Sequence, residues 1–243
     1  MKKAVFVSDS EDFITVRLAE IGYDVIKTVP NMQLDEPVRA HADCALFSPD
    51  GDTFFVEQGN YENIVNFFTK GESNYFNKKG KEIISACGIK SPYPDEVKLN
   101  CKCFGRKILC NTALVSSEIK EFAKNNKYEM MHCNQGYAAC SSVKLNENAA
   151  ITDDESVYDT LISNGIDCIK VSKGSVKLKG FNYGFIGGCC GMTEKNRIVF
   201  AGNINKHSDA DKIKSFINKY GIEIINLSDG DLIDIGGIIL LNY

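Results

Sequence analysis

Apolar and polar positions along this chain recur in a fixed order of elements, five times over. Each copy begins with a short apolar strand, continues with an amphipathic helix, and then reaches a second strand that carries a shared motif. The motif occupies residues 22–27, 80–85, 127–132, 165–170 and 221–226. It starts with glycine in four copies and with Lys127 in the third, and its third position is acidic throughout. Such ordered recurrence indicates a repeat of about 50 residues.

Apolar residues at helical spacing predict a helix before each copy of the motif. In the first copy Ile14, Leu18 and Ile21 follow i, i+4 and i+7, which places them on one helix face. Expected N-caps precede four of these helices: Ser10, Ser117, Asp154 and Ser208. Glycine stands just past three of the helices, at Gly22, Gly165 and Gly221, where a left-handed residue commonly ends a helix.

A third apolar segment follows in each repeat, at 41–48, 136–145, 185–192 and 235–242, with a less regular candidate at 99–105. A unit of this size cannot bury both faces of its sheet, so neighbouring units must pack together. The pattern predicts an α/β fold: a single domain over 1–243, forming a closed fivefold propeller of ββαβ units. The repeats are expected at approximately 1–50, 51–105, 106–146, 147–195 and 196–243. Five ordinary segments of an α/β domain are the alternative.

Composition narrows the partners and the compartment. The 243 residues carry a net charge of −4, which argues against a nucleic-acid partner because phosphate affinity depends on a basic surface. No apolar stretch approaches the roughly 18 residues of a membrane span. The first apolar run ends at Val7, too early for a secretory signal. A cytoplasmic location is therefore expected, with the ten cysteines as free and mostly buried thiols.

A chain of five ββαβ units resembles the pentein superfamily, also called the guanidine-group-modifying-enzyme fold. That superfamily includes arginine and agmatine deiminases, dimethylarginine hydrolases, amidinotransferases and a non-enzymatic ribosome anti-association factor. The resemblance covers essentially the whole chain at the level of the repeat pattern. Residues 228–242, SDGDLIDIGGIILLN, look much like the repeat ends of the anti-association factor. The resemblance implies a site on a central channel, where the third strands converge.

The pentein resemblance also implies a cysteine nucleophile on the last third strand, a histidine in a His-x-Asp segment, and acids that hold a guanidinium group. Here the last third strand has Ile238 and no cysteine. The segment His41-Ala42-Asp43 has the His-x-Asp form but lies in the first repeat. Gln135 and its neighbours stand at a comparable strand start in place of a Glu-Gly-Gly-Asp-like motif. The resemblance therefore implies a member that has lost or relocated its chemistry.

Cys189 and Cys190, in the segment GGCCGM, are the candidate nucleophiles. A thiolate requires a nearby base or positive charge to lower its pKa. Tight packing of small residues at a crowded axis is the alternative explanation of this segment. His41 and Asp43 share one face of a strand by period-two geometry, so the imidazole is a candidate general base. A structural hydrogen-bonded pair is the other interpretation.

Acids and thiols near the third strands suggest two kinds of ligand. Asp231 and Asp234, with Gln135, are candidates for binding a cationic guanidinium group, although SDGD is also a common turn sequence. Cys44, Cys140, Cys189 and Ile238 fall at equivalent positions. Converging thiolates at those positions could bind zinc. Since no Cys-x-x-Cys pair exists, the sequence favours neither a metal nor a cofactor.

Three functions remain open from the sequence. The slightly favoured one is a non-catalytic module whose channel binds a small cationic ligand or a protein partner, because the last third strand lacks cysteine. The alternative is a cysteine-dependent hydrolase or transferase that acts on a guanidino or amidino small molecule. In that case Cys189 or Cys190 attacks, His41 is the base, and Asp43 and Asp234 hold the substrate. A metal or redox thiol protein is the third.

Overall fold

The computed structural model describes residues 3–69 and 80–242. These residues form a mixed α/β structure, which confirms the predicted class. Within the described ranges, no helix combines the length and the apolar character that a membrane crossing requires.

The strands form five sheets of three strands each and one sheet of two strands. In chain order the strands are β1 (Lys3–Val7), β2 (Asp24–Lys27), β3 (Leu46–Phe47), β4 (Thr53–Glu57), β5 (Glu82–Ala86), β6 (Lys102–Phe104), β7 (Lys107–Cys110), β8 (Glu129–His132), β9 (Ser142–Asn146), β10 (Ala149–Thr152), β11 (Asp167–Lys170), β12 (Val176–Lys177), β13 (Cys190–Glu194), β14 (Arg197–Phe200), β15 (Glu223–Asn226), β16 (Leu232–Ile233) and β17 (Ile239–Asn242). The helices are α1 (Asp12–Glu20), α2 (Ala42–Ala45), α3 (Tyr61–Thr69), α4 (Ser117–Asn125), α5 (Glu155–Ser163) and α6 (Ala210–Lys219).

Every three-stranded sheet has the same plan. Its middle strand pairs antiparallel with one neighbour and parallel with the other, as β4 does with β3 and β5. A helix connects the two parallel strands. In four sheets the antiparallel strand directly precedes the middle strand in the chain. In the first sheet it is β17, which pairs with β1 from Lys3 opposite Asn242 to Phe6 opposite Ile239. The C-terminal strand therefore completes the N-terminal sheet.

The middle strands are buried on both faces, so alternate residues enter different apolar clusters. In β1, Val5 packs in one cluster with Val199 of β14, and Phe6 packs in another with Phe54 of β4. The other middle strands divide in the same way, so each sheet shares one cluster with the sheet before it and one with the sheet after it. Among the described strands no single sheet closes on itself, and the closed fivefold propeller stays a prediction.

The first residue of the repeated motif has a left-handed backbone in all five copies. Gly22, Gly80, Gly165 and Gly221 have φ angles between 66° and 96°, and Lys127 has a φ of 57°. The following residue closes a Schellman-type bond in several copies, as from the amide of Tyr128 to the carbonyl oxygen of Ala123 at 2.8 Å. The repeat therefore imposes this conformation even where the residue is not glycine.

The predicted N-caps are confirmed in one case and displaced by one residue in the others. The Asp154 carboxylate accepts a hydrogen bond from the amide of Val157 at the start of α5. The caps of α1, α4 and α6 are Glu11, Ser116 and Asp209, next to the predicted serines. The Ser116 hydroxyl accepts from the amide of Ile119, whereas the side chains of Glu11 and Asp209 make no capping bond. Shifts of one residue are usual for helix boundaries.

Replacement of Lys127 by glycine should stabilise the protein. A non-glycine residue pays a steric penalty in the left-handed region, which outweighs the extra backbone entropy of glycine in the unfolded chain. We expect the free energy of unfolding in urea to rise by about 0.5 to 1 kcal/mol. Lys120→Gly, at an exposed position inside α4, is the matched control and should lower it by about 1 kcal/mol. If both variants lowered the free energy of unfolding equally, Lys127 would not be strained in its left-handed conformation.

Candidate functional site

The starts of the third strands meet through backbone hydrogen bonds. The Gly188 amide donates to the carbonyl oxygen of Cys140 at 2.9 Å, and the Gly188 carbonyl oxygen accepts from the amide of Gly237 at 2.8 Å. The Asp43 amide donates to the carbonyl oxygen of Gly236 at 3.1 Å. These bonds join segments from four regions of the chain, and they bring side chains that are far apart in sequence to one place.

His41 and Asp43 do not lie on a strand as predicted. Asp43 is in the short helix α2, and His41 is the residue that caps it. The amides of Ala42 and Asp43 bond to the loop before β17, so they are not available to a strand ladder here. Both side chains are nevertheless buried and near each other, at 4% and 5% exposure.

Four buried side chains form what we call the acid–thiol cluster: His41, Asp43, Cys140 and Asp234. Ligand atoms of His41, Asp43 and Cys140 all lie within 4.8 Å of one another. Asp234 Oδ1 is 3.7 Å from His41 Nδ1 and 3.7 Å from Cys140 Sγ. The cluster therefore combines one thiol, one imidazole and two carboxyl groups away from solvent.

Asp234 is held by backbone amides. Its Oδ2 accepts from the amide of Phe185 at 2.8 Å, and its Oδ1 accepts from the amide of Gly236 at 3.0 Å. A Cβ atom at Gly188 would lie only 2.0 Å from Asp234 Oδ1, and one at Gly184 would lie 2.4 Å from Asp234 Cβ. Close approach to this carboxylate therefore explains why glycine occupies positions 184 and 188.

Asp43 is in the opposite situation. Among the described residues, neither of its carboxyl oxygens has a nitrogen or oxygen hydrogen-bond partner. Burial raises the pKa of Asp43, and His41 and the Cys140 thiol partly oppose that effect. A buried carboxyl group without nitrogen or oxygen donors is costly, so this position is suited to a positively charged ligand.

The same charges act on the thiol of Cys140. Burial raises its pKa well above the usual value, and the negative charges of Asp234 and Asp43 raise it further. The half-buried Lys102 acts on both acidic groups: burial lowers its pKa, and the charges of Asp43 and Cys140 partly oppose that effect. A cation that enters the cluster would reverse the effect of the two carboxylates on the thiol.

Two cavities adjoin the cluster. The first, which we call the cluster cavity, has a volume of about 270 Å³, and His41, Cys140 and Asp234 line it together with several aromatic side chains. The second has a volume of about 580 Å³ and is lined by Asp43 and Lys102, among others. The thiol, the imidazole and one carboxylate are therefore accessible from a single small cavity.

Cys189 and Cys190, the nucleophiles suggested by the sequence, lie outside the cluster. The Cys189 and Cys190 thiols both donate to the carbonyl oxygen of Ile186, at 3.1 and 3.4 Å. Burial raises the pKa of Cys189 well above its usual value. Cys190 lines the second cavity. Neither thiol is hydrogen-bonded to His41 or to Asp43 in the described part of the chain.

Of the predicted ligand-binding residues, only Asp234 joins the cluster. Asp231 pairs with Lys177 at 2.5 Å and is partly exposed. Gln135 donates to Asp154 at 3.0 Å and accepts from the amide of Tyr137, so it orders a turn. Neither Asp231 nor Gln135 lines the cluster cavity.

The sequence pattern does not identify Cys140 as the thiol beside His41. The available signal was the alignment of Cys140 with Cys44 and Cys189 at the starts of their third strands. Within the chain, however, that alignment does not distinguish one thiol from another. The distinguishing feature is the carboxylate of Asp234, which reaches Cys140 from a segment 94 residues away.

The cluster also has the donor types of a zinc site. His41, Asp43 and Cys140 each offer one ligand atom, and Asp234 is close enough to supply a fourth. Imidazole, thiolate and carboxylate are ordinary zinc ligands. The unsatisfied oxygens of Asp43 fit a metal cation as well as an organic one.

A further buried acid supports the neighbouring segment. Asp153 Oδ2 accepts from the amide of Ile186 at 2.9 Å, while its Oδ1 has no partner among the described residues. Burial raises the pKa of Asp153 to about 7, against the opposing effects of the Ile186 amide and the Lys173 charge. This contact fixes the turn that presents Gly188 to Asp234.

Residues 6–239 match the profile of a family described as Family of unknown function (DUF6873). A sequence search of curated proteins found no match.

Several solved structures have folds similar to that of this chain. C. jejuni agmatine deiminase aligns with 10% identity and a TM-score of 0.55, over 93% of this chain and 88% of that one. The inosamine-phosphate amidinotransferase of Streptomyces griseus aligns with 13% identity and a TM-score of 0.56, over 94% of this chain and 78% of that one. A mutant DDAH from Pseudomonas aeruginosa, complexed with citrulline, aligns with 10% identity and a TM-score of 0.54, over 94% of this chain and 93% of that one. These similarities show a shared fold and confirm the predicted pentein resemblance.

Replacement of Asp153 by asparagine should flatten part of the pH dependence of stability. Because the pKa of Asp153 is about 7 in the fold and near 3.8 when unfolded, the folded chain binds the extra proton between those values. The contribution of protonated Asp153 to the free energy of unfolding is complete below about pH 4 and is lost as the pH rises through 7. Asp153→Asn should therefore gain stability relative to the native chain between pH 5 and pH 8, by up to about 4 kcal/mol.

Urea unfolding at a series of pH values measures this change. The exposed Asp159→Asn variant is the matched control, and its difference from the native chain should stay constant with pH. The assignment fails if Asp153→Asn retains the full native slope between pH 5 and pH 8. Lys173 and Asp154 are the charged groups that act on Asp153, and both are unchanged in these variants.

Proposed function

The chain belongs to the family described as Family of unknown function (DUF6873), and from its site we propose that it is a cysteine-dependent enzyme. Its substrate would be a small cationic molecule with a guanidino or amidino group. The observation that carries this proposal is the acid–thiol cluster, in which a buried thiol, an imidazole and the carboxylate of Asp234 adjoin one cavity and the carboxyl group of Asp43 lies beside them. The names of the structural neighbours, agmatine deiminase and amidinotransferase, support the same class of chemistry.

The charges of the cluster favour a planar cation. A guanidinium or amidinium group presents several N–H donors, which suit carboxylate acceptors such as Asp234 and the unpartnered Asp43. Its positive charge would also lower the raised pKa of the Cys140 thiol. The thiol would then become reactive when the substrate binds and stay protonated when the site is empty.

In the proposed reaction, Cys140 is the nucleophile and His41 transfers the proton. His41 accepts the thiol proton, and the sulfur forms a bond to the guanidino carbon. As the bond from that carbon to the leaving nitrogen breaks, His41 returns the proton to the departing amine. Water or an acceptor amine then attacks the carbon of the S-linked intermediate and gives a proton to His41. The C–S bond breaks, its electron pair returns to sulfur, and His41 returns the proton to the thiolate.

This proposal replaces two expectations from the sequence. Cys140 takes the place of Cys189 and Cys190, because among the described thiols Cys140 is the one that lies beside both His41 and Asp234. The catalytic alternative takes precedence over the non-catalytic module. The missing cysteine of the last third strand is then a relocation of the thiol to another repeat.

A zinc-binding protein is the second candidate function. It is favoured by the short mutual distances of His41, Asp43 and Cys140, all within 4.8 Å. A tetrahedral zinc ion would use the thiol as a ligand and leave it unavailable as a nucleophile. Metal analysis of the purified protein separates the candidates: one zinc per chain supports the second, and metal-free protein with a reactive Cys140 supports the first.

We also propose that the five three-stranded sheets close into a fivefold propeller around the acid–thiol cluster. Two observations support this arrangement. Each sheet shares an apolar cluster with both of its neighbours in the series, including the pair formed by the fifth and the first sheets. The pairing of β17 with β1 joins the two ends of the chain in one sheet.

An alkylating amidine tests the proposed site without knowledge of the substrate. Chloroacetamidine carries an amidinium group, whereas chloroacetamide is its neutral counterpart. In both reagents the cysteine sulfur displaces chloride. Because the cluster favours a cation, we expect the amidine to label Cys140 at least about tenfold faster than the amide, after normalisation to the exposed Cys87. Peptide mass spectrometry measures both rates.

Asp43→Asn is the variant that isolates the charge. It keeps the shape of the side chain but removes a buried negative charge that has no nitrogen or oxygen hydrogen-bond partner in the described structure, so the fold should be retained. The preference of Cys140 for the amidine should fall, while Cys87 should be unchanged. The proposed function is refuted if native Cys140 shows no preference for the amidine, or if Cys189 or Cys190 reacts in its place.

A further inference from the structure

The wall of the cluster cavity away from its polar groups is apolar and aromatic. It is formed by Val38, Tyr137, Leu178, Phe181, Tyr183 and Phe185. The rings of Tyr137 and Phe185 have centroids 5.9 Å apart, and those of Tyr183 and Phe185 are 6.3 Å apart at 89°. Aromatic faces in such arrangements pack well against flat apolar groups. With about 270 Å³, the cavity lies at the small end of ligand pockets.

The described lining of the cavity offers no lysine or arginine to a substrate carboxylate. Among the described residues that line it there is no lysine or arginine, and Asp234 gives it negative charge. The lysines of the adjoining segment are each paired with an acid: Lys173 with Asp154, Lys177 with Asp231, and Lys179 with Glu36. An α-carboxylate would therefore lose hydration without gaining a lysine or arginine partner.

The aromatic wall is attached to the cluster itself. Residues 178–185, which we call the aromatic loop, are closed at their base by a bond from the Gly184 amide to the Val176 carbonyl oxygen at 2.8 Å. Asp234 bonds to both ends of this loop, donating from its amide to Lys177 and accepting from the amide of Phe185. The loop and the carboxylate therefore keep a fixed relative position.

At its outer end the aromatic loop exposes large rings. Phe181 is 55% exposed and Tyr183 is 36% exposed, although both line the cavity. Large apolar side chains that are exposed beside a cavity mark a surface that a ligand can cover. The segment opposite approaches closely, since a Cβ at Gly180 would lie 3.2 Å from Pro37.

From these features we infer the substrate class of the site, an inference that rests on the proposed function. The substrate is a monocationic guanidine or amidine with a flat, apolar body and without a carboxylate, of the arylalkylguanidine type. Its cationic head contacts Asp234 and the rest of the acid–thiol cluster. Its body lies between the aromatic loop and Val38. Free arginine, with its α-carboxylate, is disfavoured by the charges described above.

Protection of Cys140 from chloroacetamidine measures this selectivity directly. Benzylguanidine, agmatine and L-arginine are added as competitors at a series of concentrations, and labelling of Cys140 is followed by mass spectrometry. We expect benzylguanidine to protect at concentrations at least about tenfold lower than L-arginine, because a carboxylate buried without a partner is costly. Agmatine should fall between the two, since it lacks the carboxylate but carries a second charge.

Two variants at exposed positions test the wall and the charge separately. Phe181→Ala should weaken protection by benzylguanidine by about threefold to tenfold through loss of aromatic contact. Asn182→Arg adds a cation at the rim and should strengthen protection by L-arginine by about twofold to fivefold. Val16→Ala, at an exposed position on α1, is the control and should change neither value.

The outcomes separate this inference from the proposed function. If Cys140 shows no preference for the amidine over the amide, the proposed function fails. If that preference is present but L-arginine protects as well as benzylguanidine, only the inferred substrate class fails. Equal protection of the native and Phe181→Ala proteins by benzylguanidine would overturn the role of the aromatic loop.

Discussion

The buried carboxylate of Asp234 is the constraint on which the centre of this molecule depends. Taking an ionised group out of water is expensive unless hydrogen bonds replace its hydration. Here two backbone amides do so, those of Phe185 and Gly236. The chain can approach so closely only because Gly184 and Gly188 have no side chains. The need to replace the hydration of Asp234 therefore explains the glycines at positions 184 and 188.

The second acid of the cluster shows what that solvation means for function. Asp43 is buried to a similar extent but receives no backbone amide, so no nitrogen or oxygen donor replaces the hydration of its carboxyl group in the described structure. Natural proteins tolerate such imbalance where a ligand supplies the missing charge, and they lose some stability when the site is empty. The carboxylate of Asp234 thus stabilises the fold, and that of Asp43 is available to a ligand. The thiol of Cys140 lies beside both.

The repeat pattern predicted most of the fold because every repeat imposes the same local physics. Lys127 adopts the same left-handed backbone as the four glycines, so the repeat imposes this conformation even on a non-glycine residue. The site was less predictable. His41, Asp43 and Asp234 were identified from their residue types, but the choice among Cys140, Cys189 and Cys190 depends on long-range packing. Local sequence patterns also could not predict that Asp43 lies in a helical turn and not in a strand. Its amide donates to Gly236, a residue far away in the sequence.

The pairing of β17 with β1 has a consequence for how the chain is made. β1 leaves the ribosome long before its antiparallel partner, because that partner is formed by residues 239–242. Pairing across so long a stretch of chain is slow, since loop closure must precede it. Until then β1, which is almost wholly apolar, has an unpaired edge of the kind that recruits other chains. Loss of the four residues of β17 therefore carries an aggregation hazard far greater than their number suggests.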